Sequence, residues 1–163
     1  EVTEEYLQFA RLPKPELESE DITVLIESLV SFMKPELQQK EIKLTSTNEG
    51  TILANIDGNQ IRQALLNLIQ NASDAIQGAG EVHIHAKAFD DTYAMIRIED
   101  SGPGVPEDIR PHIFEAFYST KASGTGMGLS LVLQIITEHG GTLRCQPGAV
   151  LGGARFTLLL PRV

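Results

Sequence analysis

Apolar and polar positions alternate along this chain in two rhythms. Residues 23–39 carry Val24, Leu25, Leu29, Val30 and Phe32 at helical spacing, which predicts an amphipathic helix. Glu41 to Thr47 and Thr51 to Asp57 alternate instead and predict strands, with Asn48-Glu49-Gly50 as the turn. Asp57 stands where an N-cap is wanted for a long helix reaching about Ile76. After Gly78-Ala79-Gly80, residues 81–88 and 92–99 alternate as two strands around Asp90-Asp91. A helix is expected from Gly126 to His139, ended by Gly140-Gly141, and then strands Thr142 to Gln146 and Ala154 to Leu160. Near the start, Asp21-Ile22-Thr23 begins a short strand. Residues 4–11 read as the last turns of a helix, stopped by Leu12-Pro13-Lys14-Pro15. Five to seven strands and three main helices in this order predict a two-layer α/β sandwich with a mixed sheet.

Residues 101–125 break both rhythms. They are rich in glycine, proline and charge, with one helical turn expected near Ile109 to Phe114. A loop this long inside a compact domain is usually functional or mobile.

The helix after Asp57 carries unusual chemistry. At about 100° per residue, Ile61, Ala64, Leu65, Leu68, Ala72, Ala75 and Ile76 share an apolar face. Gln60, Gln63, Asn67, Asn71 and Asp74 form a polar face beside it, with Asn67 and Asn71 on adjacent turns. A solvated face would favour Glu or Lys, because asparagine is a mediocre helix former. An amide oxygen can ligate Mg²⁺, which keeps few protein ligands where phosphates and water supply the rest. Asn71 therefore makes sense as a lone magnesium ligand beside a nucleotide.

Two glycine clusters follow. Asp100-Ser101-Gly102-Pro103-Gly104 ends a strand. It can be a simple Asx-type turn. It can also read a base: a carboxylate is acceptor-only, so it pairs with the C6 amino group of adenine and repels the oxygen of guanine. Gly124-Thr125-Gly126-Met127-Gly128 opens a helix, and the free amides of a helix start can hold an anion. Neither a P-loop nor a framed dinucleotide-binding fingerprint is present.

Composition narrows the field. With 163 residues the chain is long enough for one domain with a real core. It starts Glu-Val-Thr, so a piece of a longer protein is expected. There is no membrane-length apolar run and no signal-peptide pattern. A cytoplasmic location follows as the expectation, with any anchor upstream. The one cysteine, Cys145, excludes an internal disulfide and reads as a buried thiol. Thirteen basic against 22 acidic residues give a net charge of −9, which argues against nucleic-acid binding. An anionic ligand would need local donors and a cation.

Together these segments resemble the ATP-binding catalytic domain of sensor histidine kinases, within the gyrase, Hsp90, histidine kinase and MutL group. The resemblance lies in Asn67-Leu68-Ile69-Gln70-Asn71-Ala72, in Asp100 to Gly104, in Ile113 to Lys121 and in Gly124 to Leu129. The ending, Gly153-Ala154-Arg155-Phe156 through Leu160-Pro161, is also similar. It implies a Bergerat-type fold, with a sheet of five or more strands packed on three helices. It implies that Asn67, Asn71 and Lys121 form the catalytic set, with Asn71 on Mg²⁺ and Lys121 near the terminal phosphates. Ala75, Asp100, Gly102 and Gly104 would hold ATP around its base. Gly124, Thr125, Gly126, Met127, Gly128 and Leu129 would wrap the phosphates. Residues 115–125 would be a short ATP lid, most like that of the nitrogen-regulatory subclass. Residues 1–15 would be the tail and linker of a preceding helical dimerisation domain, and 16–163 the catalytic domain.

Two departures matter. Many members carry a basic residue three places after the metal-binding asparagine, where this chain has Asp74. None of His83, His85, His112 and His139 stands in the acceptor pattern of these kinases, so they read as surface or strand residues. The related ATPases use a glutamate four residues before the asparagine to activate water. Here Asn67 stands there, and an amide has no useful basicity. The expectation is a domain that binds Mg-ATP, hydrolyses it slowly and phosphorylates a histidine on a separate dimerisation domain. Its partners would be that domain and a receiver domain, with this piece monomeric and the full protein a homodimer. An anti-sigma-factor-like serine kinase and a nucleotide-gated interaction module without catalysis are the alternatives.

Overall fold

The computed structural model describes residues 12–115 and 128–163. The helical tail expected at 1–11, and Lys121, Gly124, Thr125, Gly126 and Met127 of the expected lid, lie outside the described residues.

Seven strands and three α-helices occur among the described residues, in the order β1 (Glu18–Asp21), α1 (Ile22–Gln39), β2 (Ile42–Asn48), β3 (Leu53–Ile56), α2 (Gly58–Ala75), β4 (Gly80–Ala88), β5 (Tyr93–Asp100), α3 (Gly128–Glu138), β6 (Thr142–Pro147) and β7 (Ala154–Pro161). A single 3-10 turn, Arg110–His112, lies in the long loop where a helical turn was expected. The main sheet has the order β2-β4-β5-β7-β6. Only β2–β4 is parallel, so the sheet is mixed as expected.

Alternation decides which face of the sheet is covered. Val82, Ile84 and Ala86 of β4 and Ala154, Phe156, Leu158 and Leu160 of β7 are buried. They join Ile26, Leu29, Met33, Leu65 and Leu68 of the helices in one core. The opposite face carries His83, His85, Arg97, Arg155 and Thr157 and has no helix over it among the described residues. Two layers result, with β5 at the centre and buried along most of its length.

Three local expectations change. Asp21 ends β1, and Ile22 and Thr23 are already helical. The Asp21 carboxylate accepts from the Thr23 amide (2.9 Å) and caps α1. Val24 and Phe32 point out of the core, at 61% and 67% exposure, and the buried stripe is Ile22, Ile26, Leu29, Val30, Met33 and Leu37. Phe32 is covered by the Arg62 guanidinium, 5.5 Å from the ring centroid. His139 is neither a surface nor a strand residue. It is 4% exposed at the end of α3, where its Nδ1 donates to the Ile135 carbonyl and its Nε2 accepts from the Asp57 amide (3.0 Å). A buried imidazole with both nitrogens bonded thus ties the end of α3 to the start of α2.

Asp57 is the predicted N-cap. Its Oδ1 accepts from Asn59 (3.1 Å) and Gln60 (3.2 Å), and its Oδ2 accepts from Glu16 (3.0 Å). Burial opposes ionisation of this carboxyl, but those amides outweigh it and hold the group below its ordinary value.

Candidate nucleotide site

The site grows from the C-terminal end of β5 and the polar face of α2. Asp100 is the last residue of β5 and is 2% exposed. Its Oδ1 accepts from the Gly102 amide (2.9 Å) and the Ala154 amide (3.3 Å). Its carbonyl accepts from Gly153 (3.0 Å). The Asx turn and the base-reading geometry are therefore compatible. One carboxylate oxygen fixes the rotamer, and Oδ2 accepts no hydrogen bond among the described residues. Burial, the largest influence, raises the pKa of this carboxyl, and the two amides offset only part of it.

Two close approaches hold Asp100. A Cβ on Gly102 would lie 3.2 Å from the Ala75 carbonyl oxygen and 3.1 Å from Asp100 Oδ1. A Cβ on Gly153 would collide with both the carboxylate and the backbone carbonyl of Asp100. Gly104 follows at φ +82° and packs against Gly153. The expected base-site residues Ala75, Asp100, Gly102 and Gly104 thus meet where α2, β5 and the β6–β7 loop converge.

Along α2 the face continues into a cavity of about 180 Å³ lined by Asn67, Gln70, Asn71, Asp74, Gly128 and Leu129. Four of these six were expected as site residues. Asn67 Oδ1 accepts from Gln63 Nε2 (2.9 Å), which orients the amide group. Asn71 is half-buried and its amide makes no hydrogen bond among the described residues. A half-buried amide facing a cavity with no protein partner suits a hard cation or a phosphate-bound water.

Sequence reasoning missed four contributors. Gln70 and Asp74 line the cavity. Gly153 shapes the floor under Asp100. Glu99 anchors the loop that carries Gly153. It accepts from Arg155 Nε (2.9 Å) and Nη2 (2.7 Å), and from the amides of Val150 (2.8 Å) and Leu151. Burial disfavours this carboxylate, but the amides and the Arg155 guanidinium prevail and hold its pKa low. Its only sequence signal was a carboxylate beside Asp100 at an otherwise apolar strand end.

A central strand ending in a fixed buried acid, beside a helix carrying amides into a cavity, defines a nucleotide-binding sandwich of the Bergerat kind. Residues 56–163 match the family described as histidine kinase-, DNA gyrase B-, and HSP90-like ATPase, and the chain belongs to that family. It is 33% identical over 163 residues to the signal transduction histidine-protein kinase AtoS of Escherichia coli (strain K12), covering 98% of this chain and 26% of AtoS. It is 33% identical over 162 residues to the sensor histidine kinase ZraS of Salmonella typhimurium, covering 98% of this chain and 34% of ZraS. The chain therefore spans about a quarter to a third of these relatives. Among solved structures it superposes on the nucleotide-free catalytic domain of histidine kinase ThkA with a TM-score of 0.82 and 28% identity, over 90% of this chain and 96% of that one. It also superposes on full-length ShkA in complex with AMPPNP, with a TM-score of 0.84 and 32% identity, over 99% of this chain and 35% of that one.

Proposed function

We propose that this chain is the catalytic domain of a two-component sensor histidine kinase, binding Mg-ATP and passing its terminal phosphoryl group to a histidine on a dimerisation domain outside these 163 residues. The observation that carries the reading is Asp100, fixed through one carboxylate oxygen with the other unspent, at the end of the strand beside Asn71 and its cavity. Asp100 Oδ2 takes the amino group of adenine, and Gly102 and Ala75 form the wall against the ring. Asn71 would hold Mg²⁺, whose charge would offset that of the phosphates. Lys121 and residues 124–129 serve the phosphates. Asn67 orients and does not take a proton, since an amide is no base at neutral pH.

The domain boundary near residue 15, the short-lid subclass and a cytoplasmic location belong to the same reading. So do homodimerisation through the helical domain and transfer onward to a receiver domain. No helix among the described residues is long and apolar enough to cross a membrane. The test mixes this chain with ATP, Mg²⁺ and the separately expressed dimerisation domain. Acid-labile phosphate on that domain, with negligible phosphate release by this chain alone, is the expected result. Brisk release by this chain alone, or no labelled histidine, would overturn the proposal.

A further inference from the structure

The helix-free face of the sheet holds a cleft of about 400 Å³, lined by residues of β2, β4, β5 and the β6–β7 loop. It lies outside the nucleotide site. Its floor is a chain of hydrogen bonds across the parallel β2–β4 pair. Thr45 Oγ1 meets His83 Nδ1 (2.6 Å), and His83 Nε2 meets Thr47 Oγ1 (2.9 Å). Thr47 Oγ1 meets His85 Nδ1 (2.6 Å), and His85 Nε2 meets Glu49 Oε2 (2.9 Å).

The carboxylate at the far end sets the direction of the whole chain. Glu49 only accepts, so His85 carries a proton on Nε2; in the singly protonated ring its Nδ1 then accepts from the Thr47 hydroxyl. That leaves Thr47 Oγ1 to accept from His83 Nε2–H, and His83 Nδ1 to accept from the Thr45 hydroxyl. In this arrangement every donor has one acceptor. Burial and the neighbouring His85 lower the pKa of His83.

The charges around the rings are unequal in what they have to do. Glu99 is spent on Arg155 and two loop amides. Glu81 faces Lys43 in register across β2–β4. Arg97 faces His85 on one side and Thr157 on the other, with no carboxylate beside it in register. It is half-buried and makes no hydrogen bond or ion pair among the described residues. A guanidinium is a planar fork of donors matched to an oxyanion. Thr47, His83, His85 and the carboxylates Glu81 and Glu99 line the cleft with it, and Val150 and Leu151 add apolar lining. The volume lies within the range of small-molecule sites.

We propose that this cleft is a second ligand site, for a small organic anion whose carboxylate or phosphate group is taken by Arg97. The ligand's charge is felt by His83 and His85, so binding favours their protonated forms and disrupts the one-way chain on the edge strand β2. The proposal stands apart from the nucleotide reading, since Arg97, His83 and His85 take no part in that site.

The test records long-range imidazole NMR spectra of the ¹⁵N-labelled chain while succinate or inorganic phosphate is added, with sodium chloride at matched ionic strength as the control. Saturable shifts of the His83 and His85 ring nitrogens are expected, with their titration midpoints moved upward. Succinate alone acting assigns a carboxylate, and phosphate alone assigns a phosphate. Arg97→Gln should weaken the effect at least tenfold. Arg97→Lys, which keeps the charge and loses the fork, should fall between. No saturable shift with either anion, the same shift with chloride, or unchanged affinity in both variants would overturn it.

Discussion

Asp100 uses its two carboxylate oxygens unequally. Oδ1 holds the loop, and Oδ2 is the oxygen proposed for the adenine amino group. Asp100→Asn keeps the size but replaces a charged acceptor with an amide that is half donor. The expected loss of ATP affinity is about 1.5–3 kcal/mol, read by calorimetry. Burial raises the pKa of Asp100 above 3.8, and under the proposed reading the ionised form is the one that would accept from adenine. Affinity should therefore begin to fall at a higher pH than an ordinary aspartate would give. A binding profile flat down to pH 3.8 would contradict this. Gly153→Ala should impair nucleotide binding too, because its Cβ would collide with backbone as well as carboxylate at Asp100. Unchanged affinity in that variant would mean that Asp100 is not held from below. The acid and its glycine neighbours were legible because they are contiguous in sequence. Gly153, Ala154 and Glu99's loop were not, since they reach Asp100 from more than 50 residues away through backbone groups that no sequence pattern marks.

At the scale of elements, caps and alternation carry the fold. Asp57→Ala removes the cap of α2 and the anchor of Glu16, and should cost about 1–2 kcal/mol, seen as a lower Tm. The Asp57 pKa lies below its unfolded value of 3.8. Its contribution is thus fully present above that pH and is lost as pH falls through the folded value. The stability gap between parent and variant should close in acid. Equal melting at neutral pH would refute the capping role. Strands β4 and β7 were readable because one face of each is buried and the other is not. Pairing was harder. The short turn at Asn48 to Gly50 suggests neighbours, yet β2 pairs with β4 in parallel and β3 pairs with β1. A parallel partner reached through a helix leaves no local turn signal. Phe32 misled the helical stripe because an exposed ring covered by Arg62 looks apolar in sequence.

For the molecule as a whole, charge is the constraint. A chain at −9 that takes up a triphosphate must offset repulsion locally, and salt screens only beyond about 8–10 Å. The proposed magnesium dependence would follow from the electrostatics as much as from Asn71. The most direct measurement is an NMR titration of the chain with a non-hydrolysable ATP analogue, with and without Mg²⁺. Saturable shifts are expected at the Asn71 side-chain amide and at Gly102 and Ala154, strongest with Mg²⁺ and absent with the guanine analogue. Spectra of these groups left unmoved at saturating adenine nucleotide, or moved equally by guanine, would contradict the account.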